Sequence, residues 1–371
     1  MEDQKTKTKI TWKLREGSDA DAFGILECRR ITFPKEDLEK QDIKYWKWEF
    51  DDNFAGSARI FIAVDGSNVV GHYAVIPQFY WLNNRRYNGS IVVDVMTDPK
   101  YHFQGMFTAL GRYALNNCVE HTTLEFTTGY PIRPEVLPGH LKVGWKVRFK
   151  IGIWIMPLGL SGICDSDSQI YQRFLKVLGI VPKTIFRMYS SFLLRDKKEY
   201  KVLTYEKCEI TQFDQFWNDF LKSAPKDCIF QERSLEYLKW RYDLNPGRDY
   251  TYHVAIGNDG KMEGFVVTRV ISLFSTKIMI IVDACVLPKH SLNVFKHLIK
   301  KVRQSALSNR CALCAMMVTQ PNPLFPRPWI YGFIPIPFKK FTFITYNFKN
   351  VSDINSELLS WHLMWGDTDD V

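Results

Sequence analysis

The sequence has no paired cysteine framework: eight cysteines are scattered over 371 residues without the matched spacings of a disulfide-stapled fold. The chain opens Met1-Glu2-Asp3-Gln4-Lys5, which lacks the apolar core of a signal peptide, so a reducing, cytoplasmic setting is the expectation. Nor is there an apolar run long enough to span a bilayer. The longest, Ile151 to Cys164, is broken by Pro157 and by glycines, which excludes a transmembrane helix there. Cys311-Ala312-Leu313-Cys314 has the spacing of half a metal site, but no second pair completes four ligands, so no metal is expected. Concentrated charge is also missing. The net charge of +9 is spread along the chain, and the densest basic pieces, Arg195-Asp196-Lys197-Lys198 and Lys296 to Arg303, are too short for a nucleic-acid arm. A polyanionic small molecule suits that charge equally well.

What is present is ordinary soluble-protein material: 46% apolar and 24% charged residues, in a length that accommodates two domains. Aromatic residues, at 15%, fall in strand-like runs such as Ile60 to Val64 and Phe341 to Tyr346, which reads as sheet and core.

One segment carries chemistry. Val92-Val93-Asp94-Val95-Met96-Thr97 is an apolar strand; Asp98-Pro99-Lys100-Tyr101-His102 breaks it, and Gly105 opens an amphipathic helix through Asn117. Gly105 allows bare backbone to approach a bound group, and a helix starting there aims its first amides and its dipole at an anion.

The chain also repeats itself. Tyr45-Trp46-Lys47-Trp48-Glu49-Phe50-Asp51-Asp52-Asn53 recurs as Tyr237-Leu238-Lys239-Trp240-Arg241-Tyr242-Asp243-Leu244-Asn245. Each copy is followed by a predicted hairpin, turning at Asp65-Gly66 or Asp259-Gly260. Val93-Asp94 then matches Val282-Asp283, and Pro99-Lys100 matches Pro288-Lys289, before a helix, Gly105 to Asn117 or Leu292 to Ser308. A strand follows in each half, then a Gly-aromatic pair, Gly144-Trp145 or Gly332-Phe333, and a last strand. Where the first copy has Gly105 the second has Val294, whose branched side chain blocks close approach to a phosphate.

This order of elements, and the segment from Thr97 to Leu110, resemble the GNAT acyl-CoA N-acyltransferase superfamily in tandem form. The family's phosphate-loop pattern departs at two of three places, where this chain has His102 and Phe107 beside the retained Gly105. The resemblance implies an α+β fold of two GNAT-like domains, each a mixed, mostly antiparallel sheet flanked by helices. These are expected at 1–157, with the acyl-CoA site, and at 197–371, without one, joined by a connecting segment at 158–196 with a helix near Gln169 to Leu178. It implies acetyl-CoA, or another acyl-CoA, as co-substrate. The pantetheine arm would run along Val95-Met96-Thr97 in a splayed gap near Phe126, with the pyrophosphate on the amides of Phe103, Gln104, Gly105, Met106 and Phe107. Lys100 or His102 would replace the family's lost positive charge, unless His102 is simply an exposed turn residue.

Two residues are catalytic candidates. Asp94 interrupts an apolar strand beside the acyl position and is a candidate base for the acceptor amine; Asp283 holds the matching place in the other copy, so an anchoring role is equally open. Tyr130 follows the fifth strand, where the family commonly protonates the leaving thiolate, or it packs under Pro131-Ile132-Arg133-Pro134. Glu125 and His140 are reserves, and Cys118 reads as core. The C-terminal Trp361 to Val371 either folds over the cleft to bind an amine or is a free acidic end. Trp46, Trp81, Trp145 and Trp154 are walls of an acceptor pocket or core.

The expected activity is acetyl transfer from acetyl-CoA to a primary amine of a small molecule, sugar or peptide, with nucleic acid not expected as a partner. A non-catalytic tandem ligand-binding or scaffold module, and aminoacyl transfer from tRNA, are the alternatives.

Overall fold

The repeated motif meets itself in space. Trp48 and Trp240, equivalent positions of the two copies, stack with ring centroids 5.4 Å apart and planes at 19°. Each indole donates to the other's backbone carbonyl, Trp48 Nε1 to Trp240 O at 2.7 Å and Trp240 Nε1 to Trp48 O at 3.0 Å. Equivalent residues in mutual contact are the mark of a two-fold relation.

The computed structural model describes residues 10–158, 200–273, 276–325, 327–351 and 353–369. The connecting segment expected at 158–196, with its helix at Gln169 to Leu178, lies outside the described residues apart from Leu158. The first half contributes strands β1 (Lys13–Glu16), β2 (Arg59–Asp65), β3 (Asn68–Leu82), β4 (Arg85–Thr97), β5 (Phe126–Gly129) and β6 (Lys146–Pro157). Its helices are α1 (Ala22–Thr32), α2 (Ile43–Phe50), α3 (Met106–His121) and α4 (Leu137–Val143). The second half contributes β7 (Lys201–Tyr205), β8 (Cys228–Gln231), β9 (Thr251–Ile256), β10 (Met262–Leu273), β11 (Thr276–Val286), β12 (Leu313–Val318), β13 (Ile334–Asn347) and β14 (Ser360–His362). Its helices are α5 (Phe213–Ser223), α6 (Leu235–Leu238), which runs into a π turn at Lys239–Asp243, and α7 (Ser291–Ser308).

One sheet carries both halves, in the order β1-β2-β3-β4-β5-β13-β6-β12-β11-β10-β9-β7. The halves exchange their long strands β6 and β13. β13 of the second half lies between β5 and β6 of the first, while β6 lies between β13 and β12. Pairing is antiparallel except at β4–β5, β11–β12 and β8–β14. The glycine turns are as the residue types require: Gly66 and Gly260 take φ of +60° and +79°, and Gly144 and Gly332, at +109° and +88°, end α4 and the turn Pro328–Tyr331.

Helices α3 and α7 occupy equivalent places. α3 buries Met106, Leu110, Ala114 and Cys118 at four-residue spacing, and burial pushes the Cys118 thiol up to about 12, so it is an inert core group. α7 buries Val294, Phe295, Leu298, Ile299 and Val302, all without exposed surface. Val294 is thus a core residue at the point where Gly105 faces open space. Trp46 and Trp145 are core as well, and Trp81 donates through Nε1 to Glu232 at 3.2 Å. Among the described residues no helix is long and apolar enough to cross a membrane, and no cluster of three His, Cys, Asp or Glu is placed to hold a metal.

Candidate active site

β4 and β5 share a single bridge, Ile91 to Thr128, and then part. The cause is local to β4. Its register against β3 slips between Val93 opposite Ala74 and Met96 opposite His72, so that Asp94 and Val95 bulge outward. Asp94 sits at φ +47°, a left-handed conformation that a non-glycine residue keeps only when its surroundings hold it. Two contacts do so. The guanidinium of Arg29, from the last turn of α1, pairs with the Asp94 carboxylate, and His72 Nδ1 donates to the Asp94 carbonyl at 2.7 Å. Burial lowers the His72 pKa, so the ring is the neutral Nδ1–H tautomer.

The gap opens into a cleft of about 870 Å³ that passes from the start of α3 on one side of the sheet to α1 on the other. Gly105, at φ +79°, has no atom within 4 Å of where a side chain would start. Immediately after it, the amides of Met106, Phe107 and Thr108 are the first of α3 and lack acceptors within the helix. Phe103 is also left-handed, at φ +64°, and its ring is fully exposed at the lip. Phe107, where the family has a small residue, turns its ring away onto α4: it meets His140 edge-on at 5.0 Å and lies against Gly139. His102 folds back on β4, its Nε2 donating to the Thr97 carbonyl at 3.1 Å.

Val95, Thr97, His102, Phe103, Gly105, Met106 and Phe107 therefore line the cleft together with Asp94 and Tyr130. Met96 and Gln104 do not. Met96 is buried opposite His72, and the Gln104 amide oxygen accepts from Trp12 Nε1 at 3.3 Å. Tyr130 is nine-tenths buried, packs on Phe343 at 5.2 Å, and has a hydroxyl without a hydrogen-bond partner among the described residues. Burial holds its phenol well above the usual tyrosine range, so it stays protonated. His140 also lines the cleft, neutral because burial pulls it down to about 4; Glu125 does not, its carboxylate accepting from Arg85 at 2.8 Å.

The side of the cleft nearest α1 holds groups that no motif announces. Lys40 contributes a buried ammonium 3.1 Å from Asp369 and 3.8 Å from Glu49. Burial raises the Asp94 pKa, but Arg29, Lys40 and His72 outweigh it and bring the carboxyl down to about 2. Asp94 is thus permanently ionised and committed to Arg29. A buried lysine on a short turn and a buried arginine at a helix end leave no periodic trace of their partners in a sequence; only the acidic tail containing Asp369 was legible.

Glu49 behaves oppositely to Asp94. Burial, opposed by Lys40, pushes its carboxyl up to about 7. A group whose folded pKa exceeds its unfolded value of about 4.3 binds more protons when folded, so its contribution to stability is complete below that value and is lost as pH rises to the folded one. Glu49→Gln removes this titration. Urea unfolding is therefore expected to show the variant gaining on the wild type between about pH 4.5 and about pH 7; parallel pH curves would show that Glu49 ionises normally.

The equivalent gap in the second half is filled by the chain itself. β11 and β12 pair from Ile278 and Leu313 to Ile281 and Met316, and the C-terminal segment enters beyond them. Met364 bridges Val318, the Thr319 amide donates to the Leu363 carbonyl at 3.2 Å, and Trp365–Asp367 forms a turn against β11. Asp283, the counterpart of Asp94, is fully used: it accepts from Arg233 Nε at 2.7 Å, the Ala284 amide at 2.9 Å and the Tyr242 hydroxyl at 3.1 Å. Of the two equivalent gaps, the one in the first half is open and the one in the second is filled.

Comparison with known proteins agrees with this geometry. Residues 13–147 match the acetyltransferase (GNAT) domain family. No curated protein sequence matches. Among solved structures, a probable N-acyltransferase from Enterococcus faecalis V583 superposes with a TM-score of 0.64 at 12% identity, over 92% of this chain and 73% of that one. The tandem GNAT protein of the clavulanic acid biosynthesis pathway gives 0.53 at 12% identity, over 91% of this chain and 98% of that one. Saccharomyces cerevisiae N-myristoyltransferase, solved with myristoyl-CoA, gives 0.56 at 10% identity, over 93% and 82%. With its mixed, mostly antiparallel sheet, glycine-opened α3 and splayed β4, the chain carries an acetyltransferase (GNAT) domain at residues 13–147 and as a whole has the fold of tandem GNAT proteins.

Proposed function

We propose that the chain is an acyl-CoA-dependent N-acyltransferase with one working site, in its N-terminal half, that passes an acetyl group to a primary amine by direct attack. The observation that supports this is the single cleft running from the Gly105 cradle through the β4–β5 gap to Tyr130 and Lys40. The residues present suit the co-substrate. Left-handed Gly105 with open space before it, and the first amides of α3, form a seat for the pyrophosphate; the freed edge of β4 at Val95 to Thr97 runs beside the pantetheine position, with Met96 and Gln104 contributing backbone alone. When bound, acyl-CoA supplies an activated carbonyl and a thiolate leaving group.

The chain's own groups do the rest. β4 amides released from pairing are the donors available to a developing oxyanion. Tyr130, kept protonated, is the donor for the leaving sulfur. Asp94, ionised and tied to Arg29, draws in the ammonium but does not take its proton, so the amine reacts as the free base. Its kcat/KM is therefore expected to rise about tenfold per pH unit toward an amine pKa near 10.4. Millimolar acetyl-CoA should raise Tm, and thiol release should follow addition of a primary amine. Absence of the shift would sink the reading, and binding without turnover across an amine panel would make the protein a ligand-binding module.

A further inference from the structure

One buried histidine separates the two halves at the strand that leads to the cradle. His72, on β3, has no exposed surface; it lies opposite Met96 of β4 and meets the Phe50 ring edge-on at 5.8 Å. At the matching place of the second half, opposite Cys285 of β11, stands Phe265, equally buried and packed on Phe213 at 5.5 Å. The position thus accepts an apolar ring, and the imidazole is the costlier occupant, because its Nε2 is buried with no hydrogen-bond partner among the described residues. What the histidine adds is the 2.7 Å bond from Nδ1 to the Asp94 carbonyl.

The backbone differs accordingly. Asp94 is left-handed, at φ +47°, whereas Asp283 keeps a negative φ although the β10–β11 register also slips beside it, between Val267 and Thr268. Both carboxylates meet a buried arginine, Arg29 or Arg233, so the ion pair does not account for the difference. The second gap is filled by a strap, Leu363 to Asp367; the first is open, with Asp94 and Val95 on its wall. In a trans peptide the C=O and N–H groups point opposite ways. Pinning the Asp94 carbonyl to His72 therefore aims the next donor, the Val95 N–H, away from β3 and its histidine. Were the peptide turned over, it would present a carbonyl where it now presents a donor, and its effect on developing negative charge would change sign.

We propose that His72 is a positioning residue: by holding the Asp94 carbonyl it fixes the Asp94–Val95 peptide so that the Val95 N–H donates to the carbonyl oxygen of a bound thioester. The assignment rests on the acyltransferase reading and deepens it. It names, among the β4 amides, the one that meets the reacting carbonyl, and the side chain that aims it.

The test is isotope-edited infrared spectroscopy of acetyl-CoA, labelled at its thioester carbonyl and bound to the full chain. In the wild type the carbonyl stretch is expected at lower wavenumber than in free acetyl-CoA, because an accepted hydrogen bond polarises the C=O group. His72→Phe installs the second half's residue and should lose that shift. His72→Gln should lose it too, since its longer chain carries the amide beyond the place of Nδ1, whereas His72→Asn, whose amide nitrogen falls at that place, should retain most of it. The acetyl-CoA-induced rise in Tm should persist in all three variants, which shows that they fold and keep the cradle. Should His72→Phe fail to fold, the Asn and Gln pair decides alone. An unshifted stretch in the wild type, a shift that survives His72→Phe, or Asn and Gln variants that behave alike overturns the proposal and leaves the acyltransferase reading standing. A wild type that shows no acetyl-CoA-induced rise in Tm overturns both.

Discussion

Gly105→Trp is expected to abolish the rise in Tm produced by acetyl-CoA and to lower turnover by more than about a hundredfold. The backbone at Gly105 has φ +79°, so any Cβ costs about 1–2 kcal/mol of local strain. That cost is tolerable, because no protein atom lies within 4 Å of the new Cβ and the fold is not required to move. The indole instead occupies the approach to the first amides of α3. A ligand present at a hundred times its Kd contributes about 2.7 kcal/mol to the folded state, and this is the quantity that should vanish. Differential scanning fluorimetry with and without acetyl-CoA reads it directly. Val294→Gly is the matched control. It should restore no second binding event, because the gap beside α7 holds Met364 and the turn Trp365–Asp367. A Gly105→Trp protein with an unchanged shift would place the pyrophosphate elsewhere.

Arg233→Met is expected to cost about 3–5 kcal/mol in urea unfolding, among the largest losses from one side chain in this protein. Arg233 joins Asp283 on β11 to Asp367 on the strap, and both carboxylates are completely buried. Removing the guanidinium leaves two charges with neither water nor a cation. Burial already pushes Asp367 up to about 6 against the pull of Arg233, so without Arg233 it would take up a proton rather than stay charged. The same substitution made together with Asp283→Asn and Asp367→Asn should recover much of the loss, since the cost comes from unpaired charge and not from missing volume. Arg29→Met should cost less, because the Asp94 side chain keeps 9% of its surface on the cleft. If Arg233→Met and Arg29→Met destabilise equally, burial of the triad is not what holds the strap.

Much of the fold was legible because it rests on local signals. Alternating apolar runs, Asp-Gly turns and a helix-period stripe place β2, α3 and α7 within a few residues and locate part of β3, β4 and β10, though β4 begins at Arg85, well before the run Val92 to Thr97. The repeat around Trp48 and Trp240 announced two copies. It did not announce that the two tryptophans touch, since two-fold contact is a property of docking and leaves no spacing to read. Nor did it reveal the exchange of β6 and β13. Both are long strands that suit the same slot, and only the geometry of the joined sheet decides which half each completes.

At the site, Gly105 and the strand before it were found because a left-handed turn before a helix restricts residue type. Arg29, Lys40 and Glu49 were not, because a buried charge has the same letter as a solvated one and its partners lie up to hundreds of positions away. Asp94 and Asp283 illustrate the division. Matching sequence contexts predicted matching positions, and both carboxylates do meet a buried arginine. Their differing circumstances come from what lies beside them, an open cleft in one case and the chain's own C-terminal strap in the other. By itself, then, the sequence determined the class of fold, its duplication and the half that retains a glycine cradle, because backbone conformation and hydrophobic period are local. Which strands complete which half, which charges line the cleft and where the C-terminus goes were decided by tertiary packing, because those depend on burial and distance between residues far apart in the chain.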